Sequence, residues 1–534
     1  MTKIAAVDVA VLAQAIQQMD TGAQALSTNC ASLSSQFGKY GLDTENLRKL
    51  SAIASWTRDQ LPDLRRRHAL AVHIGAGGDH VQVPEPISVA AADAYLFQQA
   101  TKDHDSAGLA LVKSDLSKNL NDPAFLRAYA DASPDDITAF QGLPATDADK
   151  LNRLRLAECL KATDCPDSLK KLSAYLAQPK FKDNGVYLLG FDAKGNGHVS
   201  VSFGNPDTAA NTAVYVPGTG ADLDSAKGDM DRAMTLYTSA NEQKPGSTAS
   251  VFWLGYDAPS FSELPGGPTV QSFANDGAPK LTAFVKSLQS DHTGRGHLTV
   301  IGHSYGSTLV GDACAHFGMR PNDVVFVGSP GVTAGKASQL GIGSDHVWAS
   351  KKKFDPIPQI GAPLDPLHWV DDHSDRFGND PTSTEFGGKT FDSGSGSGVK
   401  HAHSEYWDAG PSLDNMTDIV TGQTDKVSKM PTEDKTGPLP NFADVVADPV
   451  AGIQELAGAG LQNAGHAVGG YWGRPLEDTG DALHDVGQAQ NDLIGSATDL
   501  ISGDPGGTLD DLKDTGSSLV DGGKNVVHTV TDFL

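Results

Sequence analysis

Apolar residues recur at intervals of three and four positions near the start of the chain. Val9, Leu12 and Ile16 follow this spacing. It is typical of amphipathic helices, whose buried face repeats every 3.6 residues. Pro62 is predicted to interrupt the helical pattern, because proline lacks the amide hydrogen that a helix interior uses. The sequence therefore predicts a helical N-terminal domain at 1–175.

A different pattern begins near residue 185. Two β-branched and aromatic runs, 186–191 and 198–203, flank a glycine-containing turn and predict a hairpin. Apolar runs then alternate with helical stretches, and the predicted strands are 213–216, 250–254, 298–301, 324–327 and 346–349. Apolar strands separated by helices are typical of a largely parallel sheet with helices on both faces. We therefore predict an α/β domain at 180–423.

The pattern weakens after residue 423. Prolines and mixed charges predict a linker at 424–445. Beyond it, at 446–534, leucines fall at nearly seven-residue spacing among glycine, alanine and aspartate. This composition predicts an amphipathic helical or partly disordered tail. Such helices offer a surface for a protein partner, whereas their acidic face disfavours anionic lipid.

Charge narrows the classes of partner. The 534 residues include 41 basic and 66 acidic side chains, a net charge of -25. This charge opposes binding to nucleic acid, whose phosphates attract basic proteins. The sequence shows no stretch long enough to predict a transmembrane segment and no classical signal peptide. A cytoplasmic location is the default expectation, and non-classical export is the alternative.

The four cysteines show no spacing typical of a metal site. Of Cys30, Cys159, Cys165 and Cys314, only Cys159 and Cys165 are close enough in sequence to suggest pairing. Free thiols are the expectation, and the sequence predicts neither a metal nor a cofactor.

A Gly-His-Ser-Tyr-Gly segment at 302–306 follows one predicted strand and opens a predicted helix. A serine flanked by glycines at a strand-to-helix turn is the nucleophile elbow of α/β-hydrolases. The glycines are needed because the turn brings the backbone close to the neighbouring strand and helix. Ser304 is therefore the candidate nucleophile.

A serine nucleophile requires a base and an acid that orients the base. In α/β-hydrolases the acid follows the serine in sequence and the histidine comes last. Asp355 lies in the loop after the predicted strand 346–349, at the sheet edge where the acid belongs. Asp371, Asp372 and Asp375 are alternatives in a segment crowded with histidine and carboxylates. That crowding also suggests a metal, but its spacing fits no single face of a strand or helix.

Two histidines compete for the role of base. His401 and His403 both follow the acid, and an extended backbone would place them on the same face. We favour His403 for its place after the acid, and only the geometry of the site can separate the two.

The oxyanion of the reaction requires backbone N–H donors. One is expected from Tyr305, which follows the nucleophile, and a second from the loop after an early strand. Thr219 and Gly220 lie in such a loop, and Gly218 shapes its turn.

Residues 186–422 resemble an actinobacterial α/β-hydrolase family that carries a domain of unknown function behind a helical N-terminal region. The segments that carry the resemblance are 204–209, 214–220, 253–259, 302–306, 328–331, 355–356, 378–381, 385–387 and 403–406. The resemblance implies an α/β-hydrolase fold with a Ser304, Asp355 and His403 triad, but no particular substrate. The three lysines at 351–353 depart from the family pattern beside the acid. The N-terminal helices also resemble the hairpins of type VII secretion substrates, although the Trp-x-Gly turn is absent between them.

These features predict a serine hydrolase of the esterase or lipase type, acting on an acyl-ester small molecule or lipid. The alternative is a secretion-associated or partner-binding protein in which the helical regions act and the hydrolase body is a scaffold.

Overall fold

The computed structural model describes residues 9–40, 42–77, 88–181, 185–260, 269–291, 296–355, 357–360, 377–397 and 401–431. The chain divides into two compact units, Met1–Thr163 and Asp164–Leu534. The predicted tail 446–534, most of the linker, and the alternative acids Asp371, Asp372 and Asp375 lie outside the described residues.

The described part of the first unit is helical. Its helices are α1 (Val9–Lys39), α2 (Glu45–Gly77), α3 (Val89–Asp103), α4 (Ser106–Asn119), α5 (Pro123–Ala132) and α6 (Ala145–Cys159). Helix α2 continues through Pro62, so the predicted interruption is wrong. Leu61 and Ala69, on either side of the proline, are both buried. Packing on both sides therefore outweighs the hydrogen bond that proline removes.

The described part of the second unit is built on an eight-stranded sheet. Its elements are α7 (Asp167–Leu176), β1 (Val186–Asp192), β2 (His198–Phe203), β3 (Asn211–Val216), α8 (Lys227–Gln243), β4 (Thr248–Leu254), α9 (Thr269–Asp291), β5 (His297–His303), α10 (Tyr305–Ala315), β6 (Asp323–Val327), β7 (Val347–Ser350), α11 (Ile357–Ile360), β8 (Lys389–Thr390) and α12 (Pro411–Val420). The strand order is β1-β2-β4-β3-β5-β6-β7-β8. β2 pairs antiparallel with β1 and β4, and the remaining neighbours are parallel. The predicted hairpin and all five predicted strands are present with shifted ends, whereas the two-residue β8 was too short to predict.

The strand order reverses between β3 and β5. From β3 the chain moves outward to β4, and from β5 it moves in the opposite direction to β6. Right-handed crossovers therefore place α8 and α10 on opposite faces of the sheet. In open α/β sheets, ligands bind in the crevice between two neighbouring strands whose outgoing connections run in opposite directions along the sheet. The topology thus directs attention to the carboxyl ends of β3 and β5.

Two cysteines whose pairing could not be decided from the sequence form a disulfide. Cys159 is bonded to Cys165, so the expectation of free thiols is wrong for this pair. A tight turn follows Cys159, whose carbonyl accepts from the Ala162 N–H at 2.9 Å. Cys30 and Cys314 are free and buried. No helix within the described residues is long and apolar enough to cross a membrane.

Two helical glycines allow a matched test of packing in the second unit. A Cβ on Gly311 of α10 would lie 2.0 Å from the Val332 carbonyl oxygen, whereas a Cβ on Gly228 of α8 would meet no heavy atom within 4 Å. We expect Gly311→Ala to lower the free energy of unfolding by about 1–3 kcal/mol, because α10 and the backbone at Val332 must move apart. Gly228→Ala is expected to raise it by up to about 1 kcal/mol through helix propensity. Urea unfolding of both variants measures the difference, and equal midpoints would contradict the packing of α10 on residue 332.

Candidate active site

The carboxyl ends of four neighbouring parallel strands lie level with one another. The register pairs Val216 with Gly302, His303 with Val327, and Val327 with Ser350. The loops after β3, β5, β6 and β7 therefore open on the same edge of the sheet. These loops hold all of the predicted site residues except the histidine base, which comes from a segment after β8.

Ser304 occupies a strained turn between β5 and α10. Its φ is 54° and its ψ is -133°, a region that costs a non-glycine residue about 1–3 kcal/mol. A Cβ on Gly302 would lie 2.5 Å from the Ser307 Cα, and one on Gly306 would lie 2.4 Å from the Val216 carbonyl oxygen. The turn therefore depends on backbone contacts that exclude a side chain at both glycines. It has the geometry of the predicted nucleophile elbow.

The residue after the nucleophile begins a helix. Tyr305 is the first residue of α10, so its backbone N–H lies in the helical turn that favours negative charge. Its side chain is buried, and the phenol oxygen accepts from the Ala274 N–H at 3.1 Å. The phenol is therefore held against α9, and the backbone N–H is the group of Tyr305 suited to an oxyanion.

The loop after β3 touches the nucleophile turn. A Cβ on Gly218 would lie 2.5 Å from the Ser304 Cβ and 2.9 Å from the Tyr305 nitrogen. The Gly220 N–H donates to the Pro259 carbonyl at 2.9 Å. Because this hydrogen bond engages the Gly220 donor, the expectation that Gly220 stabilises the oxyanion is corrected. Thr219 lies between these two glycines and stays the predicted second donor.

A buried carboxylate contacts one histidine. Asp355 is 1% exposed, and both of its carboxylate oxygens lie 3.0 Å from the His403 Nδ1. Asp355 also accepts from the Ile357 N–H at 3.0 Å and from the Tyr406 hydroxyl at 2.7 Å. A carboxylate against Nδ1 favours the tautomer with its proton on that nitrogen. The His403 Nε2 is then the ring nitrogen able to accept a proton.

The end of β6 and the residue after it lie close to Ser304, Asp355 and His403. The Ser304 N–H donates to the Val327 carbonyl at 3.1 Å. At the next residue, a Cβ on Gly328 would lie 2.8 Å from the Asp355 Oδ2 and 3.0 Å from the His403 Nδ1. The candidate acid and base thus lie against Gly328, and the preceding residue, Val327, binds the backbone of the candidate nucleophile. The three candidates come together although they lie far apart in sequence.

The second histidine is placed differently. The segment Ala402–Trp407 is a 3-10 helix rather than an extended strand. His401 and His403 therefore do not share a face, and the expectation of an extended segment is wrong. His401 is exposed, whereas His403 contacts Asp355. The structure thus favours His403 over His401 as the partner of the acid.

Two residues of the site were missed by sequence reasoning. His303 is buried, its ring stacks on the His403 ring with centroids 4.6 Å apart, and its Nε2 lies 2.8 Å from the His403 carbonyl oxygen. Burial, assisted by the charges of His403 and Arg232, lowers the pKa of His303 well below its usual value. The ring is therefore neutral, and its Nε2–H donates to that carbonyl. The sequence signals for His303 and for Tyr406, the second missed residue, were their closeness to Ser304 and His403 and their place in segments that carry the family resemblance.

The lysines before the acid have partners of their own. The Lys351 ammonium binds Asp380 at 2.9 Å, and the Lys352 ammonium donates to the Ser393 carbonyl at 2.6 Å. Burial lowers the pKa of Lys352, while nearby carboxylates, including Asp355, oppose that effect. Neither ammonium is hydrogen-bonded to Asp355 in these contacts. The acid therefore keeps His403 as its partner despite the basic segment.

The described residues contain no group of three or more His, Cys, Asp or Glu side chains that could hold a metal ion. The segment at 371–375, which suggested a metal, is not among them.

Comparison with known proteins places the sheet unit in a family. Residues 192–366 match a family model described as alpha/beta hydrolase. An uncharacterised protein of Mycobacterium tuberculosis strain H37Rv is 35% identical over 268 residues, which cover 46% of this chain and 40% of that relative. A second uncharacterised protein, from Mycobacterium bovis, is 33% identical over 178 residues, covering 30% of this chain and 65% of the relative. The chain thus spans less than half the length of the first relative. Together with the mostly parallel sheet and the helical N-terminal region, these matches support an actinobacterial α/β-hydrolase family of unknown function.

Proposed function

We propose that this chain is a serine hydrolase that cleaves carboxylic esters through an acyl-enzyme. Ser304 is the nucleophile, His403 the base and Asp355 the acid that orients the base. The observation that carries the proposal is the buried Asp355 carboxylate, with both oxygens 3.0 Å from the His403 Nδ1. The strained Ser304 turn at the same sheet edge supports it.

In this mechanism the Ser304 Oγ attacks the acyl carbonyl while the His403 Nε2 takes the hydroxyl proton. The negative charge that forms on the carbonyl oxygen is stabilised by the backbone N–H groups of Tyr305 and Thr219. The intermediate collapses as His403 gives its proton to the departing alkoxide. Water then attacks the acyl-enzyme, with His403 again as base, and releases the carboxylic acid and Ser304. Asp355 holds the tautomer of His403 and stabilises its cation throughout.

The nucleophile can be tested with a fluorophosphonate probe, which phosphonylates activated serines. We expect the full chain to be labelled and Ser304→Ala to lose the label, because the attacking oxygen is gone. Ser250→Ala is the matched control: this buried serine lies on β4, and its hydroxyl has no hydrogen-bond partner among the described residues. A p-nitrophenyl ester and the corresponding anilide, assayed in parallel, separate esterase from amidase activity. A folded wild-type chain that takes no label would contradict the proposal.

The base can be tested by comparing two histidines only two positions apart. His403→Ala is expected to lower kcat for the p-nitrophenyl ester by about 10⁴-fold or more, since loss of one triad member disables the others. His401→Ala is expected to leave kcat within about twofold, because this exposed side chain does not contact Asp355 in the structure. Steady-state kinetics on both variants decide the matter, and the reverse pattern would assign the base to His401.

A further inference from the structure

Tyr406 is a buried tyrosine bonded to the candidate acid. Its side chain is 0% exposed, and its hydroxyl lies 2.7 Å from the Asp355 Oδ2. The same oxygen lies 2.9 Å from the Lys352 backbone nitrogen. The phenol therefore bridges the acid to the backbone of the loop that carries it.

The direction of the hydroxyl proton follows from these two contacts. A backbone N–H can only donate, so the phenol oxygen accepts from Lys352 and directs its own proton to Asp355. Burial, followed by the charge of Asp355, raises the pKa of Tyr406 well above its usual value. The phenol thus keeps its proton throughout the neutral range and remains a donor to the carboxylate.

We propose that Tyr406 is a positioning residue, which holds the Asp355 carboxylate in place and limits how strongly that carboxylate attracts the proton of His403. The proposal rests on the function proposed above. A donor on Oδ2 fixes the plane of the carboxylate, so that both oxygens face Nδ1. It also disperses part of the negative charge, since a hydrogen bond to a charged group stabilises that charge. Tyr406 does not touch the reacting atoms and acts through the acid.

The other ionisable side chains around His403 have hydrogen-bond partners other than the Tyr406 hydroxyl. His303 stacks on the ring from β5 and is neutral, and Arg232 of α8 lies near enough to affect His303. The Lys352 ammonium lies 5.4 Å from the Tyr406 ring centre and is held by the Ser393 carbonyl. On the helix of His403 itself, Glu405 is bonded to Ser397. A change in the titration of the site in a Tyr406 variant therefore reports on the contact with Asp355.

The test measures the second-order rate of fluorophosphonate labelling of the full chain between pH 5 and pH 9. This rate reports the ionisation of the free enzyme. For Tyr406→Phe we expect labelling at Ser304 to persist, but roughly tenfold more slowly at pH 7. The acidic limb of the profile is expected to move to higher pH by about 0.5–1 unit. The reason is that an Asp355 with one donor fewer holds the proton on His403 up to a higher pH.

The matched control is Tyr175→Phe. Tyr175 of α7 is 4% exposed, and its hydroxyl donates to the Asp231 carboxylate at 3.0 Å. The control loses a similar hydrogen bond that does not involve Asp355, and its melting temperature is measured beside that of Tyr406→Phe. A Tyr406→Phe profile that coincides with the profiles of the wild type and of Tyr175→Phe would overturn the proposal. Absence of labelling in the wild type would instead overturn the serine-hydrolase function, so the two failures are distinguishable.

A second variant keeps the test decisive if Tyr406→Phe does not fold. A fluorinated tyrosine introduced at position 406 keeps both hydrogen bonds and is a stronger donor. The acidic limb is then expected to move to lower pH, opposite to the shift in the phenylalanine variant. A limb that stays in place with the fluorinated side chain would likewise contradict a role through Asp355.

Discussion

The close approach of three backbone segments around Ser304 is the constraint on which the site depends. Gly306 packs against the carbonyl oxygens of Val216 and Pro217, and Gly218 packs against the Ser304 side chain. The end of β3 and the start of α10 are therefore in contact with the nucleophile turn. No other residue type fits at these glycines without moving the backbone. The strain at Ser304 persists because the packing on both sides leaves the turn no other conformation.

The acid illustrates how the fold accommodates a buried charge. A carboxylate with 1% exposure is costly unless its oxygens are hydrogen-bonded. Asp355 meets this requirement through the Ile357 N–H, the Tyr406 hydroxyl and the His403 Nδ1. Two of these three donors come from the short helix Ala402–Trp407. The segment that supplies the candidate base thus also stabilises the candidate acid, which explains why the two groups are placed together although they lie 48 positions apart in sequence.

Much of the fold and part of the site could be predicted from the sequence. The strands could be predicted because each is a short apolar run. The nucleophile elbow could be predicted because backbone contacts require its glycines. The placement of Asp355 beside His403 could only be expected from the order of residues in such folds. The role of Gly220 was mispredicted because a glycine shows where a backbone can turn, not which carbonyl its N–H will meet. The 3-10 helix Ala402–Trp407 was not predicted because its six residues make only about two turns, too few to show a helical repeat.

His303, at the end of β5, links the candidate nucleophile to the candidate base. It is the last residue of β5 and directly precedes Ser304 in the turn. One residue therefore presents the candidate nucleophile, while its neighbour holds the candidate base by a hydrogen bond to the His403 carbonyl and by stacking on its ring. Because β5 is a central, buried strand, the ring that packs on His403 and the turn that carries Ser304 both lie at the end of a rigid element. A neutral imidazole suits this place, since a charged one would repel the cation that His403 would become in the proposed reaction.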